Sequence, residues 1–210
     1  MGQCYPYADD QVRDFLTTPQ NERQAHLHAI TFLLAIFEHT EATLQSDSFH
    51  TKTEYSDVAA SFRQYMITSK YPNQRQMFLD TVVTKARKYS NESQSRAAGS
   101  IIDFFILGDS GEKIIDRMHS ARISLDSLLE AKHPSADHGP ILLVAWDEAH
   151  SLISPHSSWS HLTALHRVLS VHPTLFSIFV LNAPFWHHWP GYEKHPHIYR
   201  SFLDIVIGGP

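Results

Sequence analysis

Asp147 and Glu148 stand side by side at the end of an unbroken apolar run, Ile141-Leu-Leu-Val-Ala-Trp146, and are followed by Ala149 and His150. A run that is apolar without alternation is the pattern of a strand covered on both faces. Such a strand places Asp147 at the carboxyl edge of a sheet, where a carboxylate can hold Mg²⁺, usually through water. The neighbouring Glu148 can then orient or activate an attacking water, so the pair suits phosphoryl transfer. Two acids at the tip of a buried strand are costly unless something cationic lies between them. The same residues also fit a plain core strand followed by a helix whose first turn is Asp-Glu-Ala-His.

Asn182 extends the pattern. It follows a second apolar run, Leu175-Phe-Ser-Ile-Phe-Val-Leu181, and lies 35 positions after Asp147. A polar residue at the tip of a neighbouring strand can sense the γ-phosphate of a nucleotide; equally, Asn182 can simply begin a turn before Pro184. A strand ending in Asp-Glu is the Walker B arrangement, and its usual companion is the phosphate loop G-x-x-x-x-G-K-[ST]. No such loop occurs here. Gly108-Asp-Ser-Gly111-Glu-Lys113 is the nearest imitation, but its glycines are too close and no hydroxyl residue follows the Lys. A helix cap explains it better, with Asp109 and Glu112 as a capping-box-like start.

Histidine is the other chemically notable residue, with 16 in the chain, 11 of them after residue 130. His187 and His188 lie between Trp186 and Trp189, and His195-Pro-His197 follows. Imidazole is a good ligand for Zn²⁺ or Cu²⁺, yet adjacent His residues seldom point at one ion, and neither a nearby Cys nor an H-E-x-x-H motif is present. A surface loop of amphipathic rings is the better reading. A serine hydrolase has no G-x-S-x-G elbow in its favour. Arg200 reads as a surface or paired Arg rather than a phosphate ligand.

The elements that must carry these residues divide at about residue 140. Before it the pattern is helical. A short helix covers Ala8–Leu16, with Asp9 and Asp10 in its first turn. Thr18-Pro19 reads as a restart, with Thr as N-cap and Pro at the first helical position. The helix that follows reaches about Gln45, and because apolar residues occupy all its sides between Leu27 and Phe37 its middle should be buried all round. Further helices are expected over Ser56–Thr68, then after Tyr71-Pro72 with Leu79, Val82, Val83, Ala86 and Tyr89 at helical spacing. Arg75, Lys85, Arg87 and Lys88 on that helix read as a solvated face. Asn91–Ser100 reads as a polar loop, Ile101–Leu107 as a strand or a helix end, and a helix with Ile114, Met118, Ala121, Leu125 and Leu128 precedes a turn-rich linker, Lys132–Pro140. Beyond it, Ile141–Trp146, Leu175–Leu181 and Phe202–Ile207 read as strands and Trp159–Ser170 as a helix.

Composition bounds the partners. The chain has 210 residues with 42% hydrophobic, enough for a real core, and 22 acidic against 17 basic residues give a net charge of -5. Proteins that bind nucleic acid through phosphate contacts lean the other way. The longest apolar run falls far short of a membrane span, and the single Cys4 fits a reducing compartment. Expected on these grounds are an intracellular, cytoplasmic location, an unknown protein partner, no membrane and no specific nucleic-acid signal.

Tyr5-Pro-Tyr-Ala-Asp-Asp10-Gln-Val-Arg-Asp-Phe-Leu16 resembles a stretch in uncharacterised basidiomycete fungal proteins that carry a P-loop NTPase module of the Crinkler-associated type. Trp146-Asp-Glu-Ala-His150-Ser-Leu resembles their Walker B strand, and Trp159–Leu169 with Leu175–Val180 is similar to the helix and strand after it. The resemblance implies one α/β domain over residues 1–210: an incomplete P-loop NTPase-like parallel sheet with a large helical portion. It implies Asp147 as the Mg²⁺ residue, Glu148 as the catalytic carboxylate, and Mg²⁺ and ATP as cofactors; Asn182 is the candidate ATP contact by its place after the second apolar run alone. The chain departs from the family in starting after the phosphate loop and in its Leu181-Asn-Ala stretch. ATP binding and hydrolysis are therefore expected only if Walker A is supplied elsewhere, with no cofactor on the isolated chain. The alternative is a catalytically inactive module acting as an interaction domain. A missing first strand would leave a sheet edge open to self-association.

Overall fold

Helix α2, Glu22–Leu44, is the axis of the molecule, and its sequence explains why. From Ala29 to Phe37 every side chain is buried, so this helix has no solvated face in its middle and needs neighbours on all sides. The computed structural model describes residues 7–51, 54–66, 74–96, 114–132, 141–146, 152, 159–170, 176–179 and 203–208. Seven helices are found among the described residues. They are α1 (Tyr7–Thr17), α2, α3 (Asp47–His50), α4 (Tyr55–Met66), α5 (Gln74–Arg96), α6 (Ile114–Glu130) and α7 (His161–Ser170). α1, α3, α5, α6 and α7 all pack against α2, α1 also meets α5, and α4 meets α5. No helix among the described residues is long and apolar enough to cross a membrane.

The core is aromatic where the helices cross. Phe32, Phe37, Phe62 and Phe78 are fully buried, and each such side chain contributes about 1.5–3 kcal/mol over exposure. Phe62 meets Phe78 edge-on at 6.1 Å and 81°, and Tyr65 meets Phe78 at 6.2 Å and 79°. Phe49 of α3 completes the group, edge-on to Tyr65 at 5.9 Å. The Thr31 hydroxyl, wholly buried, donates back to the Leu27 carbonyl at 2.9 Å.

Three short strands accompany the helices: β1 (Ile141–Trp146), β2 (Phe176–Phe179) and β3 (Leu203–Gly208). Their order is β2-β1-β3. β1 and β2 run parallel, with Trp146 opposite Phe179, while β3 runs antiparallel to β1, with Trp146 opposite Leu203. α4 contacts β3.

The expected fold class, an α/β incomplete P-loop NTPase-like parallel sheet, is overturned. The architecture is helical: Leu152 apart, every residue of the described core comes from one of the seven helices. The strands are short and their sheet is mixed, whereas a Walker B strand belongs among parallel neighbours. The physical reason lies in α2. An all-round apolar helix organises the other helices about itself, and six- or four-residue strands do not offer a comparable surface.

Several local boundaries also differ from the sequence reading. The N-cap of α2 is Asn21, whose side chain accepts from the Gln24 backbone N–H at 2.9 Å, not Thr18. Thr18 instead closes α1, its hydroxyl donating to the Asp14 carbonyl, and Pro19 is buried in the turn. α5 continues through the polar stretch after Asn91 as far as Arg96. Arg87 and Lys88 are exposed as expected, but Arg75 is only 3% exposed. Its long aliphatic stem lets an Arg cover core surface from a helix flank.

Candidate functional site

Asp147, Glu148 and Asn182, the expected Mg²⁺, catalytic and nucleotide-contact residues, all lie outside the described residues. So do Gly108–Lys113, Ile101–Leu107, His187, His188, His195, His197 and Arg200, and the linker from 133 to 140. What is described is the pairing of the strands that precede the first three in sequence. β1 ends at Trp146 beside Phe179, where β2 ends. In a parallel pair the two carboxyl ends share one edge of the sheet.

Among the described residues no group of three or more His, Cys, Asp and Glu could hold a metal ion. Two polar constellations do occur, and both join one helix to another. The first is built on Glu38, which ends the apolar stretch of α2. Arg117 of α6 donates to Glu38 Oε1 from Nη2 at 2.8 Å and from Nε at 3.2 Å. Tyr89 of α5 donates its hydroxyl to Glu38 Oε2 at 2.5 Å, and the Arg117 guanidinium lies over the Tyr89 ring, 4.3 Å from its centre. One helical turn on, Ser124 donates to Glu41 at 2.7 Å.

The electrostatics of this group oppose acid–base work. Burial pushes the Tyr89 phenol above its ordinary value, and the Glu38 carboxylate adds to the shift. Burial would lower Arg117, but hydrogen bonds and charge from Glu38 and Tyr89 outweigh it and hold the guanidinium above its usual value. Tyr89 therefore stays protonated and Arg117 stays charged at neutral pH. The arrangement is a clamp that ties α2, α5 and α6 together.

The second constellation lies where α7 meets the α1–α2 turn. The His28 ring stacks on Phe15, with centres 4.3 Å apart and planes 3° from parallel, and its Nδ1 donates to the Phe15 carbonyl at 2.8 Å. His161, the first residue of α7, reaches the Pro19 carbonyl from Nε2 at 3.0 Å. Arg167 pairs with Glu22. Burial lowers His28 below the ordinary imidazole value; the Phe15 carbonyl opposes this, and the charges of His161 and Arg87 add to it.

His39 is a third, simpler case. Its ring lies 4.6 Å from Phe78, and burial, with a smaller contribution from Lys85, lowers it to about 4.

Sequence reasoning did not single out Glu38, Arg117, His28 or His161, and it placed Tyr89 only among the residues at helical spacing on its helix. The signal for Glu38 is present in retrospect. A carboxylate directly after nine consecutive buried residues, Ala29 to Phe37, needs a cation brought to it by another element. Nothing in the spacing names that cation, because Arg117 is 79 positions away.

Compared with protein-family models, with curated proteins and with solved structures, the chain matches none.

Proposed function

We propose that this chain is a catalytically inactive interaction domain, a helical scaffold that binds a protein partner. One observation carries the reading: the described interhelical polar groups, Glu38–Arg117–Tyr89, Glu41–Ser124, His161–Pro19 and Arg167–Glu22, are engaged in holding helix to helix. The partner surface is expected on α5 and α6, where Met77 is 65% and Ile123 46% exposed. The test is proximity capture in cells, comparing the wild type with a Met77→Glu/Ile123→Glu double variant of matching helicity and melting temperature. A partner enriched only by the wild type supports the reading. The same set captured by both chains overturns that surface.

A second reading is favoured by the parallel register of β1 and β2. Asp147 and Glu148 follow β1 directly in sequence, and Asn182 follows β2 by three positions. Asp147 would hold Mg²⁺, Glu148 would orient water and Asn182 would contact the γ-phosphate of ATP, with Walker A supplied by another segment or a partner. Bound Mg²⁺ would supply charge stabilisation of the transferring phosphoryl group. Calorimetric titration with Mg²⁺-ATP separates the two readings. The interaction domain gives no saturable heat. Saturable, Mg²⁺-dependent binding that is lost in Asp147→Asn would favour the nucleotide reading.

A further inference from the structure

Met77 and Ile123 are the large apolar side chains that stand exposed among the described residues, and the helix faces that carry them differ in charge. On α5 the exposed line runs Met77, Thr84, Lys88, with Lys85 and Arg87 on its flanks. Three cations thus fall within four positions, and neither Lys85 nor Arg87 forms an ion pair among the described residues. Of the acids on α5, Glu92 is turned to Lys88 at 4.0 Å and Asp80 is half-buried. On α6 the exposed line is Asp116, Ile123 and Glu130, at intervals of seven residues, with His119 and Ser127 beside it. Neither Asp116 nor Glu130 forms an ion pair among the described residues, and Asp126 on the flank is held by Arg122 at 2.8 Å. α5 and α6 are neighbours around α2, since the Arg117 guanidinium lies over the Tyr89 ring.

We infer that this face of α5 docks on this face of α6 in a second copy of the chain, with Met77 against Ile123 and the cations against a carboxylate. The spacing supports the match. At a rise of about 1.5 Å per residue, the cations lie about 12–16 Å along α5 from Met77, and each carboxylate lies about 10 Å along α6 from Ile123. Lysine and arginine stems are long enough to span the difference while covering apolar surface on the way. Because Ile123 has a carboxylate on both sides, either relative direction of the helices brings one of them to the cations. The other stays at the rim, in water. The net charge of -5 opposes a less specific approach of two copies. Neighbouring helices let a two-fold pair make the contact twice, as isologous dimers do. The second copy is here the protein partner of the interaction-domain reading, on which this proposal rests.

Sedimentation velocity on the full chain, over a dilution series, tests it. A dimer should form reversibly with concentration. Raising sodium chloride from about 0.1 M to about 1 M, which shortens the screening length from about 10 Å to about 3 Å, should weaken it. Lys85→Glu/Arg87→Glu and Asp116→Lys/Glu130→Lys should each lose the dimer. An equimolar mixture of the two variants should regain it, since each then presents the charge the other lacks. Ile123→Ser should weaken the wild-type dimer as well. Circular dichroism checks that the variants fold; should a double variant fail, the single changes Arg87→Glu and Glu130→Lys replace it in the same scheme. A wild-type monomer at every concentration, a dimer that both charge variants keep, or a mixture that stays monomeric overturns the proposal. A monomer whose partner capture in cells still depends on Met77 and Ile123 overturns the second copy alone and leaves the interaction domain standing.

Discussion

Arg117 grips Glu38 with two nitrogens, at 2.8 and 3.2 Å, from a helix 79 positions further along the chain. The Tyr89 hydroxyl donates to the other oxygen of the same carboxylate. Three helices thus share one charge.

Removing that charge leaves a half-buried guanidinium and a phenol without their acceptor. Glu38→Ala should destabilise the chain by about 1–3 kcal/mol, the range for orphaning partly buried polar partners. Tyr89→Phe removes one hydrogen bond and keeps the ring under Arg117, so about 1 kcal/mol is expected. Urea unfolding followed by circular dichroism checks both. A double-mutant cycle of Glu38→Ala with Arg117→Ala that shows no coupling would mean the pair is ornamental, as many exposed ion pairs are.

The aromatic junction of α3, α4 and α5 is the second place to test. Phe62 is fully buried and touches Phe49, Tyr65 and Phe78. Phe62→Ala should cost about 3–5 kcal/mol through lost transfer energy and the cavity left behind. Against a typical total of about 5–15 kcal/mol, that is a large drop in melting temperature. Phe62→Leu should recover most of it, and equal melting of the two variants would contradict the packing.

Much of the helical part is legible from periodicity alone, and α2 is the clearest case, because apolar residues at every angular position leave no alternative to burial. The departures have specific causes. Thr18-Pro19 has good start chemistry, but Asn21 competes with it, and the Gln24 side chain adds a bond back to the Gln20 N–H at 3.1 Å that fixes the start there. Asn91–Arg96 is polar, which suggests a loop, yet a solvated helix end needs only tolerable propensities once the preceding turns are packed. Ile141–Trp146 is identifiable as a strand, whereas the direction of β3 against it depends on how the chain returns, which no local pattern encodes. Asp147, Glu148 and Asn182 are legible as residue types after apolar runs. Whether such residues meet is a matter of long-range chain path, which spacing does not carry.

The start of α2 offers a third prediction. Asn21 Oδ1 satisfies the Gln24 N–H, one of the donors that a helix N-terminus leaves without an intrahelical partner. Asn21→Ala should cost about 1 kcal/mol and Asn21→Asp almost nothing, since Asp caps as well as Asn and favours the dipole. Thermal melts of the two variants give the answer directly. A Thr18→Ala loss larger than that of Asn21→Ala would return the cap to Thr18.

His39 contributes to the pH dependence of global stability. Its folded value is lowered to about 4 by burial, with Lys85 adding to the effect, while an unfolded imidazole titrates near 6.5. Between those values the unfolded chain binds the extra proton, so stability rises with pH across this window and falls as the solution is acidified through it. Above about 6.5 the contribution is complete, and below about 4 no more is lost. His39→Phe keeps a ring against Phe78 and removes the titration. The variant should therefore lose less stability than the wild type between pH 7 and pH 4.5, measured as the shift in urea midpoint. Identical pH profiles for the two chains would show that His39 is not held neutral in the folded state.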